Sequence, residues 1–285
     1  MNHPPRISVA DKRRAFRQLH ESGCFVLPNP WDIGSARYLQ GLGFKALATT
    51  SSGFAWTQGE PDGTTTRDTV LDHLHEIVGA TDLPVNADFE NGFAPDAAGV
   101  AESVRLALLS GIAGVSIEDS TGDAAAPLFD LDTAVARLRA ARSAIDKAGG
   151  EVLLVGRAEC FLVGRPDLDE TIARLRAYAQ AGADCLYAPG LRTREQIAAV
   201  VAAVAPKPVN LLIGAATGMT VEEAAALGVR RISTGGALAR TAWGAFSGAA
   251  RQLVEQGRFD GFAGAASGDE LDGFFRDDLQ RRQRT

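Results

Sequence analysis

Acidic side chains follow successive apolar runs of the sequence, each with the composition of a buried strand. Asp88 and Glu90 follow the run that begins at Pro84, and Glu118 ends the next run. Because Asp88 and Glu90 are two residues apart, an extended backbone would point both carboxylates to one side. Converging carboxylates resist ionisation unless a cation shares them, and hard oxygen ligands favour Mg²⁺, with Mn²⁺ also suitable. The alternative is that each acid caps a following helix.

Further polar side chains stand at the ends of the other apolar runs. Arg157 and Glu159 follow the fifth run, Tyr187 ends the sixth, and Asn210 lies in the seventh. Asp62 lies in the long segment after the second run. In a barrel of parallel strands the chemistry sits at the carboxyl ends of the strands, so these positions are candidate site residues.

Such residues are positioned by a regular alternation of short apolar runs and helical stretches. The alternation predicts a parallel sheet covered by helices, and eight units in 285 residues predict a single (β/α)₈ barrel domain over residues 1–285. An open doubly wound sheet is disfavoured because no G-x-G-x-x-G follows the first strand. The predicted strands are Cys24–Pro28, Ala46–Thr50, Pro84–Asp88, Gly114–Glu118, Val152–Arg157, Cys185–Ala188, Pro208–Ile213 and Arg230–Thr234.

Two more helices are predicted outside the eight units. One opens the chain, with Ser8 as its cap and Gly23 as its end. Residues 268–285 form a C-terminal helix or tail, with the helix itself over Asp269–Gln280. The helices between the strands are predicted at Ile33–Gly41, Arg67–Ala80, Asp96–Ser110, Leu131–Lys147, Leu168–Ala181, Arg194–Ala205, Val221–Ala226 and Ala237–Glu255.

Composition excludes several classes of protein. A net charge of −6 argues against binding to nucleic acid or to an anionic membrane. The chain shows no signal peptide and no membrane-spanning run, and its three scattered cysteines lack a C-x-x-C pair, so we expect a cytoplasmic protein. None of the lysines ends a predicted strand, which disfavours a Schiff base. Surface positions are expected for the histidines, His3, His20, His73 and His75.

The order of these motifs resembles the isocitrate lyase/phosphoenolpyruvate mutase superfamily over nearly the whole chain. The resemblance implies a (β/α)₈ barrel that forms a homodimer or homotetramer and often exchanges its last helix between subunits. The motifs that carry it are N-P-W-D-I-G-S-A-R at 29–37, T-S-S-G-F at 50–54, P-V-N-A-D-F-E-N-G-F at 84–93, S-I-E-D at 116–119 and G-R-A-E at 156–159.

The same resemblance implies roles for individual residues. Asp88 and Glu90 match the metal-site acids, and Glu118 matches a ligand that binds the metal through water. Arg157 matches the arginine beside the reacting oxygen of the substrate. The predicted substrate-binding residues are Trp31, Asp32, Ser52, Gly53, Phe54 and Asn210, and the candidates for proton transfer are Asp62, Glu159 and Tyr187.

The implied activity is Mg²⁺-dependent cleavage of a carbon–carbon bond in a small 2-oxo or 2-hydroxy acid through an enolate, as in oxaloacetate decarboxylation or methylisocitrate cleavage. Residues 120–130 lack the Cys, Lys and His of the lyase lid and the Lys and Asn of the mutase lid, and Glu90 replaces an Asp. Three alternatives stay open: a phosphorus–carbon mutase or hydrolase, a phosphate-binding barrel at Gly235-Gly236, and a non-catalytic barrel that binds keto acids.

Overall fold

The strands form one eight-stranded parallel sheet in the computed structural model, which describes residues 7–284. Each strand from the second to the eighth pairs with its neighbour in the chain, and the eighth pairs with the first. The remaining seam is crossed by a 3.1 Å hydrogen bond from the Ala48 amide to the Pro28 carbonyl. The predicted (β/α)₈ barrel is confirmed. Strands β1 to β8 are Phe25–Leu27, Leu47–Ala48, Val85–Asp88, Gly114–Glu118, Leu153–Arg157, Cys185–Tyr187, Val209–Leu212 and Arg231–Ser233.

Eleven α-helices and one short 3₁₀ helix, Asp260–Phe262, are found among the described residues. Many helices begin where an Asp or Thr side chain accepts a hydrogen bond from the third residue of the first turn, which satisfies an amide that the helix leaves unpaired. Helices α1 to α11 are Val9–Leu19, Ile33–Gly41, Ser51–Thr57, Arg67–Ala80, Ala97–Leu108, Leu131–Lys147, Leu168–Gln180, Arg194–Val204, Val221–Ala226, Ala237–Gln256 and Gly268–Arg284.

Two helix predictions need correction. Helix α1 ends at Leu19 rather than at Gly23, because the His20 amide already closes the last turn on the Arg17 carbonyl at 2.9 Å. Gly23 lies beyond it with a φ of +72°, in the turn into β1. The segment after β2 was not among the predicted helices, but it forms α3, which the Thr50 side chain caps.

The apolar core lies between the sheet and its ring of helices, and α1 closes the amino end of the barrel. Phe16 of α1 is fully buried in a cluster with Leu27, Ala46 and Leu153, which come from the strands and their starts. Because this plug fills the amino end, side chains at the carboxyl ends of the strands are left to line an open mouth.

The surface expectation for the histidines is wrong at two positions. The His20 ring donates a hydrogen bond from Nδ1 to the Phe16 carbonyl at 2.8 Å, and burial lowers the pKa of His20 to about 3. His73 lies on the apolar stripe of α4 and stacks on Phe54 at 3.8 Å, and burial lowers its pKa to about 4. His3 lies outside the described residues.

The two C-terminal helices differ in how they pack. Helix α10 buries only Ala239 among its described side chains, and it exposes Phe246 and Val254. Helix α11 packs on α2, where Phe274 lies 4.7 Å from the Tyr38 ring. Over residues 7–284, no helix has the length and apolar character needed to span a bilayer.

Candidate active site at the barrel mouth

A cavity of about 170 Å³ opens at the carboxyl ends of the strands. An apolar cavity of about 150 Å³ holds a molecule the size of benzene, so this one suits a small acid. The structure brings these predicted residues together in its wall: Ser52, Asp62, Asp88, Arg157, Tyr187 and Asn210. Gly235 and Gly236, named above as an alternative phosphate site, also line it. Residues of the wall that were not predicted include Asn29, Thr49, Thr50, Ser51, Asn86, Ser116, Arg231 and Ser233.

Arg157 joins three carboxylates at this mouth. Its Nη1 lies 3.1 Å from Asp88 Oδ1 and 3.1 Å from Glu118 Oε2, and its Nε donates to Glu159. Strand register explains the grouping, since Arg157 pairs with Glu118 of β4 on one side and with Tyr187 of β6 on the other. Burial opposes the charged form of Arg157, but the neighbouring carboxylates outweigh it and raise its pKa.

The prediction of an extended backbone through Glu90 is wrong. Strand β3 ends at Asp88, and Glu90 has a φ of +45°, a left-handed conformation unusual for a residue with a side chain. Its Oε1 is buried without a hydrogen-bond partner among the described residues. Burial, followed by the charges of Asp88 and Asp62, raises the pKa of Glu90 to about 7, although Arg157 opposes the shift.

Burial also raises the pKa of other titratable groups at the mouth. It raises the pKa of Glu118 and of Glu159, and the Arg157 guanidinium, which lowers both pKa values, offsets only part of the effect. Burial likewise raises the pKa of Tyr187 to about 12, so its phenol keeps its proton at neutral pH. Asp62 lies on the exposed rim, where partial desolvation of its carboxyl raises its pKa and the Asp88 charge adds to the effect.

Asp119 is a buried acid to which sequence reasoning assigned no role, although it stands in the S-I-E-D motif. It is 2% exposed and its Oδ1 accepts a 2.8 Å hydrogen bond from the Glu159 amide. Its Oδ2 accepts from Arg174 at 3.1 Å and from the Tyr178 hydroxyl at 2.5 Å. Asp119 therefore holds the segment after β5 that carries Glu159 beside Arg157.

The start of α3 gives Ser52 and Gly53 different surroundings. The Gly53 amide donates to Thr50 Oγ1 at 3.3 Å, and a Cβ on Gly53 would lie 2.6 Å from Thr50 Cγ2. Glycine is needed there for close packing. The Ser51 amide donates to Asp88 Oδ2 at 3.2 Å, whereas no described residue accepts a hydrogen bond from the Ser52 amide. Of the predicted pair, Ser52 is therefore the one with an amide free for a ligand.

Besides Gly53, three predicted substrate-binding residues lie outside the cavity. Trp31 lines a shallow groove beside Trp243 of α10. The Asp32 carboxylate caps α2, in agreement with the ordinary role of such an acid. Phe54 is buried under α3 against His73, because its place in the helix turns it away from the barrel axis.

Arg231 lies on the β7–β8 side of the cavity, where no charge was predicted. It is 2% exposed, its Nε donates to Asn210 Oδ1 at 2.9 Å, and its Nη1 lies 3.4 Å from Asn86 Oδ1 and from His20 Nε2. No described carboxylate lies within salt-bridge distance of it. Its alternation with Ser233 along β8 was the available signal that it faces the barrel interior.

The acids fit a hard divalent cation only in an open arrangement. Among residues 7–284, no three His, Cys, Asp or Glu side chains converge as a protein cage for a metal. Mg²⁺ is ordinarily held by one or two carboxylates, and waters and substrate oxygens complete its shell. Asp88 and Glu90 are the candidate pair, and Glu90 Oε1 is buried without a hydrogen-bond partner among the described residues, as an oxygen available to a cation would be.

Comparisons with known proteins agree with this geometry. Residues 16–254 match the model of the family described as phosphoenolpyruvate phosphomutase. The fold is similar to that of a candidate lyase/mutase from Burkholderia cenocepacia J2315, at 48% identity and a TM-score of 0.91 over 94% of this chain and 97% of that one. It is also similar to 2,3-dimethylmalate lyase, at 27% identity and a TM-score of 0.82 over 98% of each chain. Oxaloacetate decarboxylase from Paraburkholderia xenovorans is 30% identical over 68% of this chain and 66% of its own length.

Proposed function

The chain belongs to the phosphoenolpyruvate phosphomutase family of the PEP mutase/isocitrate lyase superfamily, and we propose that it cleaves a carbon–carbon bond in a small 2-oxo or 2-hydroxy diacid. The observation that carries the proposal is the Arg157 cluster: one guanidinium contacts three carboxylates, and both Arg157 and one of those acids, Asp88, line a cavity of about 170 Å³. The relatives named oxaloacetate decarboxylase and 2,3-dimethylmalate lyase support the same reaction class.

Asp88 and Glu90 would hold a divalent cation, with Glu118 acting through water, and the bound cation would supply Lewis-acid stabilisation of the substrate oxygens. Arg157 donates to the oxygen on C2 of the substrate. Negative charge gathers on that oxygen as an enolate during decarboxylation, or as an alkoxide before a retro-aldol cleavage. A fixed guanidinium in a water-poor site stabilises such charge more strongly than water does.

The remaining residues bind the substrate or handle its protons. The Ser52 amide donates to a substrate carboxylate. Tyr187 keeps its phenolic proton at neutral pH and lines the cavity, so it is the group from which the enolate product takes a proton. Asp62 on the rim is the second proton carrier. Glu159 is a positioning residue, because it lies buried behind Arg157 and orients it.

A substrate panel followed by NMR tests the proposal. It contains oxaloacetate, methylisocitrate, isocitrate, 2,3-dimethylmalate and phosphonopyruvate, each with Mg²⁺ and with an enzyme-free control for spontaneous decarboxylation. We expect carbon–carbon cleavage of at least one carboxylic acid. Cleavage or rearrangement of phosphonopyruvate alone would establish phosphorus–carbon chemistry instead. Tight binding without turnover of any acid would identify a keto-acid sensor.

The segment after β4 bears on that choice. It forms a short hairpin in which Ser120 pairs with Leu128, and the Thr121 amide donates to the Pro127 carbonyl at 3.0 Å. The hairpin carries no Lys, Asn, Cys or His. It therefore offers neither the polar groups implied for phosphonate chemistry nor a thiol acid, which favours a proton donor from the barrel, such as Tyr187.

We also propose that the protein is a homodimer or homotetramer. Trp243, Phe246 and Val254 of α10 are 43%, 63% and 82% exposed, which leaves one long helix face without an apolar partner. Exposed apolar patches of this kind mark contacts between proteins. A second copy of the chain is the expected partner.

A further inference from the structure

The cavity has two sides of opposite electrostatic character. On the β3–β5 side, Arg157 is outnumbered by the carboxylates that it contacts. On the β7–β8 side, Arg231 has neutral partners, with Asn210 bonded to its Nε and Asn86 near its Nη1. Ser233 completes this wall through a 3.0 Å hydrogen bond from Asn210 Nδ2.

A buried guanidinium without an acid is unusual because burying an unpaired charge is costly. Arg174, by comparison, pairs with Asp119 and Glu170. Arg137 is also buried without an acid. Its guanidinium donates hydrogen bonds to backbone carbonyl oxygens between β3 and α5, away from the cavity. Arg231 instead lines the cavity, and no described residue accepts a hydrogen bond from its Nη2.

The start of α10 adds a second positive feature to the same wall. Gly236 is the N-cap of this 20-residue helix, and no side chain caps it. A Cβ on Gly236 would lie 2.7 Å from Ser52 Oγ, so the backbone at the start of α10 lies close to the cavity wall. Unpaired amides and the helix dipole at a helix start favour an anion.

From these observations we propose that Arg231, with Asn210, Ser233 and the start of α10, forms a subsite for the second carboxylate of the substrate. The inference rests on the proposed function and narrows it. The carboxylate would supply the counter-charge that Arg231 lacks within the protein. A diacid would then span the cavity, with its C2 oxygen at Arg157 and its distal carboxylate at Arg231.

This placement favours retro-aldol cleavage over decarboxylation. When the C2–C3 bond of a 2-hydroxy diacid breaks, the C2 hydroxyl loses its proton and C2 becomes a carbonyl. The bond electrons pass to C3 and onto the distal carboxylate as an aci-carboxylate, until C3 takes up a proton. Charge on the distal carboxylate therefore rises, and Arg231 stabilises it. In decarboxylation the same carboxylate would lose its charge as CO₂, and pairing with Arg231 would oppose the reaction.

Calorimetry with malate and lactate in the presence of Mg²⁺ tests the subsite, because the two acids share a 2-hydroxy carboxylate and differ by the second carboxylate. We expect the wild type to bind malate at least ten-fold more tightly than lactate. Arg231→Gln should weaken malate binding at least ten-fold and lactate binding less than two-fold. Arg13→Gln, which removes a cation that bonds the Ile112 carbonyl under the barrel, is the matched control and should leave the ratio unchanged.

Arg231→Lys keeps the charge without the two-pronged geometry and carries the test if the glutamine variant does not fold. It should weaken malate binding several-fold and leave lactate binding unchanged. Equal losses for both acids, or no loss for malate, would overturn the subsite. An Arg231-dependent preference for phosphonopyruvate over the carboxylic acids would overturn its assignment to a carboxylate.

Turnover separates this inference from the proposed function. Arg231→Gln should lower kcat/KM for 2-hydroxy diacids at least ten-fold more than for oxaloacetate, and the reverse order would overturn the retro-aldol assignment. If no acid is turned over but malate is still selected through Arg231, only the lyase proposal fails. If acids are cleaved and Arg231→Gln leaves selectivity unchanged, only the subsite fails.

Discussion

Replacing Glu90 by glutamine tests whether the acids at the barrel mouth repel one another until a cation binds. The pKa of Glu90 rises from 4.5 to about 7 on folding, because of burial and then the charges of Asp88 and Asp62. The folded protein thus binds this proton more tightly than the unfolded chain does. The resulting stability is fully present below about pH 4.5 and is lost as the pH rises through about 7.

The size of the effect follows from the shift. The full pKa shift of Glu90 corresponds to about 3 kcal/mol in the free energy of unfolding. Because solvent at the open mouth screens part of the interaction, we expect a loss of stability of about 1–3 kcal/mol. Glutamine carries no charge at any pH. In EDTA at pH 8, Glu90→Gln should therefore melt about 2–10 °C above the wild type, and the two should converge near pH 5.

Thermal melts between pH 5 and 8 measure this difference. Glu76→Gln, on the exposed face of α4, is the matched control and should follow the wild type. Added Mg²⁺ should raise the melting temperature of the wild type at pH 8 and have little effect on Glu90→Gln, because a ligand stabilises only the form that binds it. Parallel melting profiles for Glu90→Gln and the wild type in EDTA would refute the electrostatic reasoning.

Three further predictions concern groups around the mouth and the outer surface. Tyr187→Phe should lower kcat about 100-fold with little change in KM, and an unchanged kcat would show that the proton comes from another group. Asp119→Asn should destabilise the fold by about 3 kcal/mol because it weakens the buried pair with Arg174, and chemical denaturation that finds no loss would contradict that role. Phe246→Glu should convert the oligomer to a smaller species, as measured by light scattering. A wild type that is already monomeric would contradict the proposed interface at α10.

The alternation of apolar runs was enough to predict the barrel, because buried parallel strands and their helices differ in period and in length. Helices α2, α4, α6 and α9 have the predicted bounds, and every observed strand lies inside a predicted run. The strand ends carry the acids and Arg157 into one mouth because parallel strands share a carboxyl edge.

Other features did not follow from the alternation of apolar runs. The Thr50 side chain caps α3, which was not among the predicted helices, and that helix rotates Phe54 onto His73 and away from the cavity. Glu90 leaves the extended conformation, and its backbone carbonyl accepts a hydrogen bond from the Glu118 amide at 2.9 Å. The alternation of Arg231 with Ser233 indicated the direction of its side chain, but only the strand register placed it against Asn210.

The central claim is that Arg157 stabilises charge on the substrate during carbon–carbon cleavage. Its most direct test compares the wild type with Arg157→Lys on the acid that the wild type cleaves fastest, at saturating Mg²⁺ and with the spontaneous rate subtracted. Lysine keeps the positive charge but cannot bridge Asp88, Glu118 and Glu159 as the guanidinium does. We predict a loss in kcat of about 10²–10³-fold, as when one donor to a developing oxyanion is removed. A kcat within a few-fold of the wild type would contradict the account.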